Sequence, residues 1–415
     1  MKKLRQLVRV GVFSILYITL VTLCAYSAET KRALWVTRWD FKNADDIARI
    51  MANAHDLGVK QVLFQIRGNA TVFYPSRIEP WAWELTGKDA TTVGVDPGWD
   101  PLTVALREGQ KYGLEIHGWM NVFPAWRGTI NPPGTLRHPW VNHKDWFMRD
   151  HLNKLMQPTA SWYNFLSPGN TAVRSYLASV FAEVAQNYPS LAGLHMDYVR
   201  YPANRELGSY RNFSFDSESI KNFKKLYGYT PTDQSPDWST FKCDQVTQSI
   251  RAIRSAMRKV APRMELSGTF MAEIGKANQE TGQDPLRWLD ENLVDWAVPM
   301  AYQRNTSALS KTLDELQFML PVNIHEKMVI GLNVDFNAAA EISNQMNLTY
   351  SQHWGGEALF AYSSLFPGHK ANAKAKTIKS LWQKNVRQLT PPASLAEVKE
   401  LQRALIKDAV SSVKR

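Results

Sequence analysis

The sequence predicts an α/β protein, a (β/α)8 TIM barrel with long loop insertions at its C-terminal face. Three observations lead there. Eight short apolar runs alternate with eight helical patterns, as parallel βαβ units require. The 415 residues, 44% hydrophobic and 21% charged, can bury the core of one large barrel. The three stretches that lengthen the repeat all follow the ends of strands, where barrels build their sites. A doubly wound open sheet is the alternative, but no Gly-x-Gly-x-x-Gly turn follows the first strand.

Residues 1–27 stand outside the repeat. Lys2, Lys3, Arg5 and Arg9 precede an apolar run from Val10 to Leu23, and Ala25-Tyr26-Ser27 is a small-x-small cleavage site. That is the plan of a secretory signal peptide, and the run is short for a membrane span. Cys24 raises lipid attachment as an alternative, against which the bulky Leu23 before it argues. Export is expected, to the periplasm or the exterior, with membrane association if Cys24 is lipidated. Losing those four cations leaves 45 of the 49 basic residues against 38 acidic ones, or +7. Such a charge suits an anionic wall or membrane surface. With no basic run and a chain bound for export, nucleic acid is not the expected partner.

The barrel is expected over residues 28–388. Its strands read, in order, Leu34–Arg38, Gln61–Arg67, Leu114–Val122, Leu191–Tyr198, Met264–Phe270, Val294–Ala301, Lys327–Asn333 and Glu357–Ser363. Between them fall helical stretches at Ala44–Leu57, Pro101–Tyr112, Thr171–Asn187, Ser217–Tyr227 with Phe241–Val260, Pro285–Glu291, Ser307–Leu320, Ala338–Asn347 and Ala371–Lys384. The insertions are Gly68–Asp100, Phe123–Gly169 and Pro202–Asp216, and they carry Trp81, Trp83, Trp99, Trp126, Trp140, Trp146 and Trp162. That placement favours a ligand groove over core filling for these Trp residues. After Thr390-Pro391-Pro392 an amphipathic basic helix, with Leu395, Val398, Leu401 and Leu405 on one side, forms a tail over 389–415.

The strands show where chemistry sits. An interior parallel strand is normally apolar throughout, but the third places Glu115, His117, Trp119 and Asn121 on the face opposite Leu114, Ile116, Gly118, Met120 and Val122. With the apolar set under the helices, the polar set points into the barrel. The same rule turns Gln65 and Arg67, His195 and Asp197, and Glu265, Ser267 and Thr269 inward. The deeper His117, His195 and Glu265 suit an internal hydrogen-bond network. Asp197 is different: it closes an apolar strand at the mouth, followed by Tyr198-Val199-Arg200-Tyr201-Pro202. A carboxyl so flanked can serve as base, nucleophile or acid.

The segment Gly193-Leu194-His195-Met196-Asp197-Tyr198-Val199-Arg200-Tyr201-Pro202 resembles the signature of the glycosyl hydrolase-like family 10. The resemblance runs in order through Arg32–Val36, Gln65–Ala70, Phe73–Ser76, Glu79–Trp81, Trp99–Leu102, His117–Asn121, Asn164–Gly169 and Val298–Tyr302. It implies a TIM barrel, glycoside hydrolase chemistry and a cell-envelope glycan as substrate, such as peptidoglycan glycan stripped of its peptides. Met300 and Gln303 depart from the family pattern near the sixth strand.

Glycosidic cleavage ordinarily needs two carboxyls. Asp197 is one. Glu273, just past the fifth strand, is the first choice for the other; Asp40 and Asp335 are rivals on the rim, and Glu79 and Glu84 lie on a loop that could swing in. Arg67 and Asn121 are expected to bind sugar hydroxyls or an acetamido group, Tyr198, Arg200 and Tyr302 to orient Asp197, and Trp119 and Trp39 to stack on sugar rings. No cofactor or metal is expected: His-Glu-x-x-His, Gly-x-Ser-x-Gly and Walker motifs are missing, and Cys243 sits alone in a helical insertion. The other readings are a poly-N-acetylglucosamine hydrolase and a non-catalytic glycan-binding barrel. Nothing in the sequence speaks to oligomeric state.

Overall fold

The computed structural model describes residues 30–87, 89–203, 212–232 and 234–389. The segment expected to be a signal peptide and the tail beyond Leu389 lie outside the described residues. Eight parallel strands close a barrel: β1 (Lys31–Val36), β2 (Gln61–Arg67), β3 (Glu115–Asn121), β6 (Gly193–Asp197), β7 (Glu265–Met271), β8 (Trp296–Met300), β9 (Val329–Asn333) and β10 (Gly356–Phe360), the last hydrogen-bonded back to β1. A separate antiparallel hairpin, β4 (Pro124–Arg127) with β5 (Tyr163–Phe165), stands in the insertion after β3. The sequence pattern did not separate this hairpin from loop.

The surrounding helices are α1 (Ala44–Leu57), α2 (Pro101–Lys111), α3 (Thr171–Asn187), α4 (Ser217–Tyr227), α5 (Pro236–Val260), α6 (Pro285–Asp290), α7 (Thr306–Met319), α8 (Ala339–Ser351) and α9 (Ala373–Leu389). Most start at a residue whose side chain caps exposed N–H groups. Asn43, Asp100, Asn170, Asp216, Asp284 and Asn305 each accept from an N–H in the first turn. Gly58, at φ +97°, ends α1 in a left-handed turn that a side chain would strain. Helix α5 begins earlier than its apolar periodicity indicates because Pro236 initiates it. Among the described residues no helix is long and apolar enough to cross a membrane.

Two apolar layers hold the assembly. Outward residues such as Val62, Phe64, Ile116, Met120, Leu194 and Leu266 pack under the helices. Inside the barrel, Ala33, Trp35, Leu63, Trp119, Trp296, Val298, Val329 and Ala358 fill the lumen. Of its polar members, His195 and Glu265 are paired, whereas neither ring nitrogen of the buried His117 has a hydrogen-bond partner. Trp35 Nε1–H donates to His195 Nε2 (3.2 Å), and His195 Nδ1 meets Ser267 Oγ (2.8 Å). Glu265 accepts from Trp296 Nε1–H (2.8 Å) and pairs with Lys31 (3.3 Å). Burial lowers His117 and His195 to about 3, so both stay neutral. His195 and Glu265 thus take the hydrogen-bonded role that the deeper polar positions suggested, while His117 only meets Trp296 edge-on at 5.5 Å.

Candidate active site

Among the described residues, one side of the barrel mouth is exposed. The last inward residues of β6 to β10 are half-exposed: Asp197, Met271, Met300, Asn333 and Phe360. The ends of β1, β2 and β3 are buried. The insertions after β2 and β3 cap that half and raise a wall beside the other. Among the described residues Asp197 is the one carboxyl at those strand ends.

Asp197 is held from two directions. Its Oδ1 accepts Thr269 Oγ1–H at 2.8 Å from β7 and the Tyr198 N–H at 2.7 Å from its own turn. Burial nevertheless holds its carboxyl above the ordinary range, against those two bonds, Arg200 and the neighbouring Trp119 indole. Oδ1 carries both of those bonds. Tyr302 lies close enough that Asp197, after burial, helps raise its phenol well above the ordinary value. Its ring tilts against Phe360 at 5.8 Å.

Tyr198 adopts φ +50°, a left-handed conformation rare for residues with a side chain. The β4–β5 hairpin clamps it there. Trp162, Tyr163 and Phe165 each meet its ring edge at 6.0–6.1 Å, and the Arg200 guanidinium lies 4.9 Å over it. The hairpin connects onward to a buried ion pair. Tyr163 Oη accepts from Arg38 Nη2–H (2.9 Å), and Arg38 Nε pairs with Glu84 at 2.9 Å. Burial raises Glu84 against the pull of Arg38, and its second oxygen is buried without a hydrogen-bond partner. Outside this pair stands Trp39, 53% exposed, edge-on to Trp83 at 5.8 Å.

Several sequence expectations are corrected by this geometry. Arg67 does not face the lumen. The β2–β3 register slips between Gln65 and Arg67, which pairs Arg67 with Met120 and turns it out beneath the loops. There it is fully buried, with its guanidinium on Glu79 (2.6 and 2.8 Å), so neither residue can touch a sugar. Trp119 is 4% exposed and belongs to the lumen packing, beside Asp197 rather than under a sugar ring. Asn121 lies next to Asp197 in register but is 2% exposed, its Oδ1 without a partner. Arg200 donates to the Tyr201 carbonyl (3.1 Å) and is buried against Tyr198, a support for that ring.

Glu273 follows the end of β7, at the start of the turn 274–276, and swings outward to Lys276 (2.6 Å). It lines a surface pocket with Lys311 and Glu315, on the flank next to α7, and makes no contact with Asp197. Asp40 is bound by the Thr37 N–H and hydroxyl, and Asp335 by Ser364. The insertion tryptophans mostly serve the protein: Trp126 and Trp140 are buried, and Trp83, Trp99, Trp146 and Trp162 pack on the main core. Missed altogether were Met271, Asn333 and Phe360, which the two-residue period would have found, and the hairpin residues Tyr163 and Phe165, which it would not. Among the described residues no group of three or more His, Cys, Asp or Glu gathers as metal ligands.

A closed (β/α)8 barrel with a carboxyl at a strand end, Asp197, belongs to the class of barrels whose sites lie at the C-terminal strand ends. Solved glycoside hydrolases share the fold. The chain superposes on the PgaB (BpsB) glycoside hydrolase domain from Bordetella bronchiseptica with a TM-score of 0.63 and 12% identity, covering 84% of this chain and 98% of that one. A β-galactosidase from Bacillus circulans sp. alkalophilus gives 0.60 at 11% identity, over 87% of this chain and 57% of that one. The chain belongs to the glycosyl hydrolase-like 10 family, whose pattern it matches over residues 30–347. It is 27% identical over 273 residues to glycosyl hydrolase DigH of Escherichia coli K12, covering 59% of this chain and 55% of the relative. It is 25% identical over 312 residues to glycosyl hydrolase YngK of Bacillus subtilis 168, covering 67% and 55%. The chain thus spans about half the length of the curated relatives it matches.

Proposed function

We propose that the protein is an exported glycoside hydrolase that cleaves the glycan of the cell envelope, peptide-free peptidoglycan in the first place. The observation that carries the reading is Asp197, a carboxyl kept protonatable by burial and fixed by Thr269 and Tyr198 at the open side of the mouth. In this role it donates its proton to the leaving glycosidic oxygen as that bond breaks, and water adds to the anomeric carbon and gives up a proton in turn. Trp39 offers a face and Tyr302 a hydroxyl to the sugars, and Tyr198 holds Asp197. Glu273 turns away to Lys276 and Glu84 is enclosed on Arg38, so neither stands ready as the partner carboxyl.

The test is product analysis by mass spectrometry. Wild type and Asp197→Asn are each incubated with peptide-free peptidoglycan glycan and with poly-N-acetylglucosamine. Short oligosaccharides from the first polymer, lost with Asp197→Asn, are expected. Cleavage of the second polymer alone would transfer the substrate assignment. Binding of both polymers without cleavage by any form would make the barrel a lectin.

A further inference from the structure

The face opposite the mouth has a chemistry of its own. Each helix of the barrel runs back to the N-terminal ends of the strands. The loops that enter β7, β8 and β9 therefore form one arc there, since those strands are neighbours. At one end of the arc Arg251, Arg254, Ser255, Arg258 and Lys259 of α5, with Leu293, line a surface cavity of about 400 Å³. Arg251 is held by Glu291 (2.5 and 2.7 Å) and Arg254 by Asp295 (2.9 Å). Arg258, Lys259 and Arg263 stand exposed beyond those carboxylates, with the exposed Val260 among them. At the other end, where α7 leads into β9, Phe318 and Val322 are 91% and 81% exposed. They are the most open large apolar side chains among the described residues, and the exposed Met319 lies between them in sequence.

A single exposed apolar residue needs no explanation. Three within five positions, on the same rim as a cation-lined cavity, are the two contacts that a lipid surface takes: cations for the headgroup phosphates and apolar side chains for the acyl boundary. The chain reaches this face from a matching direction. Its apolar run Val10–Leu23 ends seven residues before Thr30, which leads into the N-terminal end of β1 on the same face. A membrane that takes up that run during export lies against the arc. We propose that the arc docks on an anionic phospholipid surface. A headgroup phosphate enters the α5 cavity between Arg258 and Lys259, while Phe318, Met319 and Val322 enter the boundary between headgroups and acyl chains. The mouth, on the opposite face, then opens away from the lipid. The inference does not depend on which glycan the mouth accepts.

The test is co-sedimentation of the chain that signal cleavage would leave, Ala28–Arg415, with two kinds of vesicle. One is phosphatidylglycerol and phosphatidylcholine in equal parts; the other is phosphatidylcholine alone. Wild type should bind the anionic vesicles more tightly, and salt should weaken that binding. Reversing two cations, Arg258→Glu with Lys259→Glu, should lower binding to them by about 25-fold or more, since each cation near an anionic surface is worth roughly fivefold. Phe318→Ser with Val322→Ser should lower it by about tenfold. All four side chains lie on the surface, so thermal unfolding and cleavage of a soluble oligosaccharide should stay as in wild type for both double variants. Wild type that binds neither vesicle, or binds both equally, would overturn the proposal. Both double variants binding as wild type does would also overturn it and assign the lipid contact to the basic tail. A wild-type dimer that Phe318→Ser with Val322→Ser makes monomeric in sedimentation velocity, with vesicle binding unchanged, would make the arc an interface between copies instead.

Discussion

Tyr198 reaches back through its own amide to the residue before it: at φ +50° its N–H donates to Asp197 Oδ1 at 2.7 Å. A left-handed residue with a side chain costs on the order of 1 kcal/mol or more, and such strain persists only where the surroundings over-determine it. Here they do so through Trp162, Tyr163, Phe165 and Arg200. Tyr198→Phe keeps the ring and the clamp, and its unfolding free energy should stay within about 0.5 kcal/mol of wild type. Tyr198→Val removes the ring and adds a branched Cβ where φ is positive. We expect a loss of about 2–4 kcal/mol in denaturant unfolding, with a fall in kcat that Tyr198→Phe does not show.

Asp197→Asn separates chemistry from stability. The Asn oxygen can still accept from Thr269 and Tyr198, but the residue has no proton to give, so kcat/KM should fall by about 10²- to 10⁴-fold. Stability should move the other way. Because burial raises the folded-state value of Asp197, the folded protein binds this proton more tightly than the unfolded chain does. Its contribution is whole below the unfolded carboxyl range and is lost as pH rises through the folded value. Asp197→Asn should therefore unfold at a higher temperature than wild type at pH 7, with the gap closing as pH falls below 4. A gap that widens on acidification would mean that the folded carboxyl is held ionised.

Alternation along single strands made much of this legible. Asp197 and the lumen residues His117, His195 and Ser267 follow from a period of two on runs whose other face is apolar, and so would Met271 and Phe360. Arg67 fails for a definite reason: one slip in register reverses every later side chain, and nothing local in Gln65-Ile66-Arg67 marks it. The wall around Tyr198 was out of reach for another reason. Tyr163 and Phe165 are more than thirty residues from it in sequence and arrive on a hairpin that pairs outside the barrel. Glu273 misled because a position just past a strand end does not say which way the next turn swings.

The Arg67–Glu79 pair makes the corrected reading testable. Both side chains have no exposed surface, and Tyr176 donates to the same carboxylate. Removing one partner leaves an uncompensated buried charge, which costs about 3–5 kcal/mol. Arg67→Met should lower stability by that amount, measured by denaturant unfolding. KM should be unchanged for whatever fraction remains folded. A rise in KM with stability intact would return Arg67 to the substrate.

Trp39 carries the opposite expectation. It is 53% exposed, follows β1 on the rim, and is propped by Trp83 edge-on and by the Arg38 guanidinium 5.0 Å from its ring. Support on two sides with one face open is how a protein offers a flat apolar platform, and sugar rings carry an apolar face of their own. The ring contributes little to the core, so Trp39→Ala should change stability by no more than about 0.5 kcal/mol. A lost stacking contact of about 1–1.5 kcal/mol corresponds to roughly five- to tenfold in affinity. The loss should appear in KM for long oligosaccharides and shrink for short ones that do not extend past Asp197 to the rim. Isothermal titration of Trp39→Ala, placed in an Asp197→Asn background so that nothing is cleaved, reads this directly. Equal affinity for both proteins at every chain length would remove Trp39 from the glycan path.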